Sequence, residues 1–331
     1  MVYFAHSMDR LVDDGLAGFA RAHGDLVRWH PDDGFVQARH PAPTRRVALV
    51  SGGGSGHEPL HLGFVGAGML DAACPGRLMA SPHNRQIFQA SCAVAQPGGV
   101  LHLVKNYTGD RINFGIAAER LAQQGIACAR VLIDDDLASE SPDTAVGRRG
   151  TAATVLIEKV LGAAADTGLG LRELTELGTE LAARSRSLAV ASAAHTSPAT
   201  GRPAFTLPPD ELEFGVGIHG ERAKSSIARR PLDELVATMT EALVQALALR
   251  RGTGVIVLVN GLGAVTQLEL YAVLHETAQL LDRLGLVLER SLVGSLVTAL
   301  DMRGFSLTLM QADDAVVKFY DAPARTPAWP R

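Results

Sequence analysis

At residues 46–50 an apolar run, RVALV, stops abruptly at the glycine-rich SGGGSG of residues 51–56. An apolar run ended by glycine predicts a buried strand entering a tight loop. Glycine lets the backbone turn sharply and come close to a ligand with its N–H groups pointing inward. The loop is therefore a candidate binding element, yet it fits neither common nucleotide pattern. No GK[ST] follows it, and Gly52, Gly54 and Gly56 give GxGxxG in no register, because glycine is needed where His57 or Pro59 stands. A second strand, VLHLVK at 100–105, runs into NYTGD. Residues 114–124 then read as a helix closed by Gly125, and ARVLI at 129–133 as the next strand. Strand, loop, helix, strand is the grammar of a largely parallel sheet, in which loops after the strand ends gather at one edge and form the site.

A chain of 331 residues predicts two domains. Hydrophobic residues make up 47% of it, enough for a sizeable core, and scarce aromatics beside abundant Ala, Leu, Val and Gly favour α/β over a β-sandwich. Helical spacing marks residues 12–23, with Gly24 as a cap, then 151–165 and 171–183. Residues 192–209, rich in Pro, Ser, Thr and Gly, read as an irregular connection. The domain boundary is placed just before it: an N-terminal domain, 1–184, with the glycine-rich loop, and a C-terminal domain, 185–331. The second half carries FGVGI at 214–218, a helix at 232–249, a buried strand at 255–259, a helix at 268–284, and apolar segments near Val287 and at 306–310. The expected class is α/β: two α/β domains with central mixed, largely parallel sheets flanked by helices.

The net charge of −4, with both signs interspersed, predicts no attraction to nucleic acid or membrane. No apolar run approaches the roughly 18 residues of a membrane span, and MVYFAHSMDR does not read as a signal peptide. Cys74, Cys92 and Cys128 lack CxxC spacing and read as small core residues in a reducing compartment. A cytoplasmic protein is expected.

Four segments carry candidate chemistry. HEPLH at 57–61 matches HExxH, whose two histidines bind zinc from one face of a helix. Pro59 opposes that reading, because proline suits the first helical position and not the interior. A helix starting near Pro59 leaves His57 in the preceding loop and makes His61 a packing residue. In KNYTGD, Lys105 can hydrogen-bond oxygens, and Asp110 either acts as a base toward a hydroxyl or caps the next helix. In GIHGE, His219 leaves an apolar run between glycines that leave room for a substrate, although a lone histidine is also commonly structural. Asp134, Asp135 and Asp136 follow a strand, where carboxylates either bind Mg2+ or begin a solvated loop, and the loop reading is favoured.

Taken together, VALVSGGGSGHEPLHLGFVGAGML, VKNYTGDRINFG, VLIDDD, GRRGTAATVLIEKVLGAAA, FTLPPDELEFGVGIHGE and VGSLVTALDMRGFSLTLM resemble, in this order, the dihydroxyacetone kinase family, and within it the dihydroxyacetone-binding K subunit. The resemblance implies a phosphotransferase of the glycerone kinase type that works with a partner. It implies that a ring nitrogen of His219 attacks the ketone of dihydroxyacetone and holds it as a hemiaminal, a bond that polyols cannot form. It makes Asp110 the base toward the reactive hydroxyl and His57 its acid/base neighbour. Gly54 and Lys105, together with Asp110 and His219, become the substrate-binding set, and no metal ligand is implied.

Family kinases carry nucleotide on a separate helical L domain or subunit. Here the α/β pattern continues almost to Arg331. The chain is therefore expected to bind no cofactor itself, with ATP or ADP and Mg on an L-subunit partner, and a phosphotransferase-system donor protein as an alternative source of phosphate. The resemblance also implies a homodimer. SPHNR at 81–85, AHTSPATG at 194–201 and RAKSSIARRP at 222–231 depart from the usual family forms. They keep open erythrulose as the ketose. Family members that sense ligand and regulate transcription keep open a non-enzymatic role.

Overall fold

The computed structural model describes residues 3–140, 147–222 and 226–329; residues 223–225 of the departing RAKSSIARRP segment lie outside them. The chain divides into two compact units, the first drawn from 1–133, 154–180 and 319–331, the second from 134–153 and 181–318. A boundary at 184/185 is a single cut, whereas the chain passes between these units at 133/134, 153/154, 180/181 and 318/319. Segments that are remote in sequence complete the first unit, which local composition does not signal.

The first unit holds strands β1 (Val27–His30), β2 (Phe35–Ala38), β3 (Ala48–Ser55), β4 (Ala72–Leu78), β5 (Val100–Lys105) and β6 (Cys128–Ile133), ordered β1-β2-β4-β3-β5-β6. From β4 to β6 all pairings are parallel, as the strand–helix alternation implies, and β1 and β2 add antiparallel at one edge. Ala48, Leu49, Val50 and Ser51 of β3 are fully inaccessible, the pattern of a strand covered on both faces. The helices are α1 (Leu11–Ala22), α2 (Asn84–Val94), α3 (Thr108–Gln123), α4 (Ala153–Asp166) and α5 (Leu171–Ala183).

Helix α4 is buried at every position from Ala153 to Ala165. Such a helix must be apolar all round, and ATVLIEKVLGAAA is so apart from Thr154, Glu158 and Lys159. Lys159 donates to the Phe319 carbonyl at 2.8 Å, and burial lowers its pKa to about 8. The buried Arg45 guanidinium fastens the end of α4 to the sheet. It reaches Asp71 at 2.7 Å, Asp166 at 2.6 Å and the carbonyls of Met69 and Gly162 at 2.8 and 2.9 Å.

The second unit holds β7 (Ser185–Ala193), β8 (Glu211–Phe214), β9 (Ser226–Ala228), β10 (Gly254–Gly261), β11 (Val287–Gly294) and β12 (Arg303–Gln311), ordered β11-β10-β12-β7-β8-β9. Only β10 and β11, joined through a helix, pair in parallel; the other neighbours are antiparallel. Parallel pairing therefore dominates the first sheet alone. Helices α6 (Leu232–Ala246) and α7 (Gln267–Leu284) bury Val236, Met239, Leu243, Leu270, Val273 and Leu281 against the sheet, and α8 (Asp314–Asp321) is the last helix. A capping box between Thr266 and Glu269 starts α7, and Gly285 at φ +72° stops it.

Local expectations failed where tertiary contacts override them. Strand β3 does not end at residue 50 but continues through the glycines to Ser55. No α-helix starts at Pro59; residues 57–61 form turns, and only a single 3-10 turn, Leu62–Phe64, follows. Helix α3 begins at Thr108, six residues before 114, and β7 runs two residues into the stretch read as an irregular connection. Cys74 is buried, Cys92 and Cys128 are half-buried, and all three are free thiols. Among the described residues, no helix is long and apolar enough to cross a membrane.

Candidate functional site

Of the expected site residues, Gly54, His57, Lys105 and Asp110 belong to the first unit and His219 to the second. The glycines of β3 are explained first by packing. A Cβ on Gly52 would sit 2.6 Å from the Cys74 carbonyl oxygen, and one on Gly54 would sit 2.7 Å from the Ala80 nitrogen. A Cβ on Gly53 would fall on Lys105 Nζ and 3.2 Å from His61 Nε2. The run is thus a strand stripped of side chains so that β4, the turn after it and the end of Lys105 can approach. Gly56, at φ +105°, makes the turn after the strand.

Lys105 ends β5 and is 1% exposed. Its Nζ lies 2.8 Å from His61 Nε2 and 4.0 Å from Asp110 Oδ2. Asp110 stands in the first turn of α3, where a negative charge complements the helix dipole. It does not cap the helix: Tyr107 is the N-cap residue and no side-chain cap is made. Asp110 is 3% exposed, and its Oδ1 accepts no hydrogen bond from the described residues. A buried carboxylate oxygen with no donor is costly unless a ligand or water supplies one. That geometry suits a group awaiting a hydroxyl. His57 is buried beside this cluster, and its charge is one of the influences on His61.

The residue that sequence reasoning set aside is His61. It is buried, and its Nδ1 lies 2.6 Å from Glu158 Oε1 and 3.0 Å from Ser51 Oγ. Burial first, then the charges of Lys105 and His57, push its pKa well below the usual histidine value, so the ring is neutral. The available signal was Glu158 and Lys159 inside an otherwise apolar helix, since buried charges persist only with partners.

In the second unit, His219 is half-buried in its glycine-flanked turn. Its backbone N–H donates to Glu221 Oε2 at 2.9 Å, and its Nδ1 is 3.3 Å from Glu221 Oε1. Burial opposes the Glu221 charge, but the His219 hydrogen bond and the His219 and Arg149 charges overcome it and hold the carboxyl at about 2. A carboxylate only accepts, so Nδ1 is the nitrogen that carries hydrogen toward Glu221, and in the neutral tautomer the lone pair sits on Nε2. The flanking glycines have separate reasons. A side chain on Gly217 would collide with Glu221, and Gly220, at φ +80°, would place a Cβ 2.5 Å from His195 Cε1.

The three aspartates after β6 are engaged by protein groups. Asp134 pairs with Arg148 at 2.9 Å and Asp136 with Arg149 at 2.6 Å. Asp135 accepts from Thr151 and Ala153 backbone N–H at 2.6 and 3.0 Å and from the Ser187 hydroxyl. Among the described residues, no group of three His, Cys, Asp or Glu is arranged to hold a metal ion. A cavity of about 310 Å3 in the second unit, lined by Leu212, Leu235, Val273, Phe305 and Arg303, contains none of the expected residues.

The chain is 42% identical over 345 residues to the Escherichia coli (strain K12) protein named PEP-dependent dihydroxyacetone kinase, dihydroxyacetone-binding subunit DhaK, covering 96% of each chain. It is 40% identical to Rattus norvegicus triokinase/FMN cyclase, covering 98% of this chain and 57% of that one. The C. freundii dihydroxyacetone kinase structure superposes with a TM-score of 0.89 at 34% identity, over 99% of this chain and 60% of that one. A structure described as a dihydroxyacetone kinase operon co-activator, DhaQ, superposes at 0.90 with 31% identity, over 96% and 97%. A family profile described as the Dak1 domain spans residues 17–328, and the chain belongs to that family, the one that includes the dihydroxyacetone-binding subunits of dihydroxyacetone kinases.

Proposed function

We propose that the chain is the dihydroxyacetone-binding subunit of a dihydroxyacetone kinase and presents the substrate hydroxyl for phosphorylation by a donor on a separate helical L subunit. The observation that carries this reading is the His219–Glu221 pair, which fixes the imidazole in the tautomer that puts its lone pair on Nε2. Nε2 forms a C–N bond to the ketone carbon, the carbonyl oxygen takes a proton to become a hydroxyl, and the ring gives up its Nδ1 proton, which leaves a neutral hemiaminal. Gly54, Lys105 and Asp110 hold the substrate oxygens, Asp110 accepts the proton of the hydroxyl that is phosphorylated, and His57 assists as acid/base. A positioned base contributes roughly 10²–10⁴ in rate. Nucleotide with Mg2+ stays on the partner, and phosphoryl transfer then depends on positioning and charge stabilisation. The name of the E. coli relative supports a phosphoenolpyruvate-fed donor. The C. freundii kinase crystallised with AMP-PNP and Mg2+ supports an ATP-fed one. The chain acts as a homodimer in the cytoplasm on this reading.

The test is 13C NMR of the intact protein with carbonyl-labelled dihydroxyacetone. A protein-bound tetrahedral carbon is expected, and His219→Ala must remove it; an unchanged signal in the variant ends the covalent role. The structural match to DhaQ favours a second reading, a ligand-sensing co-regulator. Adding a nucleotide-binding L subunit and its donor separates the two, since only the kinase subunit forms dihydroxyacetone phosphate. Running the same assay with erythrulose decides the ketose.

A further inference from the structure

Behind the glycine strand lies a buried polar chain of which the proposed chemistry uses only Lys105. Ser51, His61, Lys105 and Glu158 are each no more than 4% exposed. The Ser51 hydroxyl has the Leu103 carbonyl at 2.8 Å and the Glu158 carboxyl as acceptors for its one proton, and with either of them its oxygen accepts from His61 Nδ1, 3.0 Å away. Glu158 Oε1 is 2.6 Å from the same nitrogen. Burial pushes the Glu158 carboxyl well up, and the Lys105 charge and a hydrogen bond from Ser51 oppose it. Ser51 decides where the proton lies. If Glu158 kept its proton and gave it to Nδ1, the Ser51 oxygen would face a second lone pair. Nδ1 is therefore the N–H nitrogen, donating to Glu158, and Nε2 carries the lone pair. Lys105 Nζ, 2.8 Å away, donates to that lone pair.

We propose that Glu158 and His61 are positioning residues for Lys105. Glu158 Oε1 fixes the imidazole with its lone pair toward the ammonium, and that lone pair aims Lys105 past Gly53, where there is no side chain to deflect it. A substrate oxygen then meets a donor whose direction and charge are already set, so little is lost in reorganisation on binding. The inference rests on the reading that Lys105 holds the substrate.

Two measurements on the full chain test it. 15N NMR of the histidine rings of the unsubstituted protein should show His61 with Nδ1 protonated and Nε2 bare; the opposite tautomer or a doubly protonated ring overturns the proposal, whatever the variants do. Calorimetric binding of dihydroxyacetone is then compared in Glu158→Gln, Lys105→Met and the double variant. Glu158→Gln should weaken binding by about tenfold or more, and that effect should vanish in the Lys105→Met background. An equal loss in both backgrounds means a merely structural role and sinks the proposal alone. Unaltered binding by Lys105→Met sinks the substrate role of Lys105 and the proposal with it.

Discussion

Alanine at Gly53 and at Gly52 should give different phenotypes, although the two positions are adjacent. A methyl group on Gly53 meets the end of a side chain, Lys105 Nζ, and comes within 3.2 Å of His61 Nε2. Carbon contacts settle at about 3.5 Å or more, so the ammonium must retreat by on the order of 1 Å. That breaks its 2.8 Å hydrogen bond to His61. A hydrogen bond to a charged group contributes about 1.5–3 kcal/mol, equivalent to roughly 10–150-fold in affinity. The backbone need not move, but the displaced ammonium leaves the position from which it meets the substrate, so Gly53→Ala should lose dihydroxyacetone affinity by a factor of that order, together with part of that hydrogen bond's contribution to unfolding free energy. A methyl group on Gly52 instead meets backbone, 2.6 Å from the Cys74 oxygen and 2.9 Å from its Cβ, in a strand pair that cannot separate without losing its ladder. Overpacking there should cost about 1–3 kcal/mol of stability. Urea denaturation followed by circular dichroism reads the second effect, and calorimetric titration with dihydroxyacetone reads the first. A Gly53→Ala protein that binds like wild type would show that Lys105 is not held against the bare strand, and the account of the glycine run would fall.

Two further outcomes follow from buried charge. Arg45→Met leaves Asp71 buried without its guanidinium and should destabilise the protein by about 3–5 kcal/mol, read as a shift in the urea midpoint; a loss under 1 kcal/mol would mean that the network is not what holds α4 to the sheet. Glu221 titrates at about 2 when folded against 4.5 as the ordinary value. A depressed carboxyl contributes stability that is complete above 4.5 and is lost as pH falls through about 2. Stability measured from pH 6 to pH 2 should therefore drop less steeply in Glu221→Gln than in wild type, and parallel curves would rule out the His219–Glu221 coupling.

Much of the architecture was legible in periodicity and glycine placement. Residues 100–105 are β5 without adjustment, and 171–183 are α5, because an apolar run or an amphipathic stripe between clear breakers leaves little choice. The glycine run reads as a loop because glycine usually breaks strands; here parallel pairing to β4 extends the strand through it. Antiparallel pairing in the second sheet was hidden, since strand direction is set by partners remote in sequence. His57, Lys105, Asp110 and His219 could be singled out by their setting and by the resemblance. His61 could not, because Pro59 suggested a helix in which His61 would merely pack.

The sequence by itself determined several of the elements, the α/β class, the Dak-type motifs and the absence of a nucleotide-binding glycine pattern. Each is a local property, written in residue types at short spacing. Only the tertiary structure decided what the glycines at 52, 53 and 54 are for, which aspartates are already engaged, and which nitrogen of His219 carries the lone pair. Those outcomes depend on partners 10 to 100 residues away: Cys74 and Ala80 against the strand, Arg149 beside Glu221, and Glu158 behind His61. Burial makes each such contact decisive, because a polar group removed from water must find its partner within the fold.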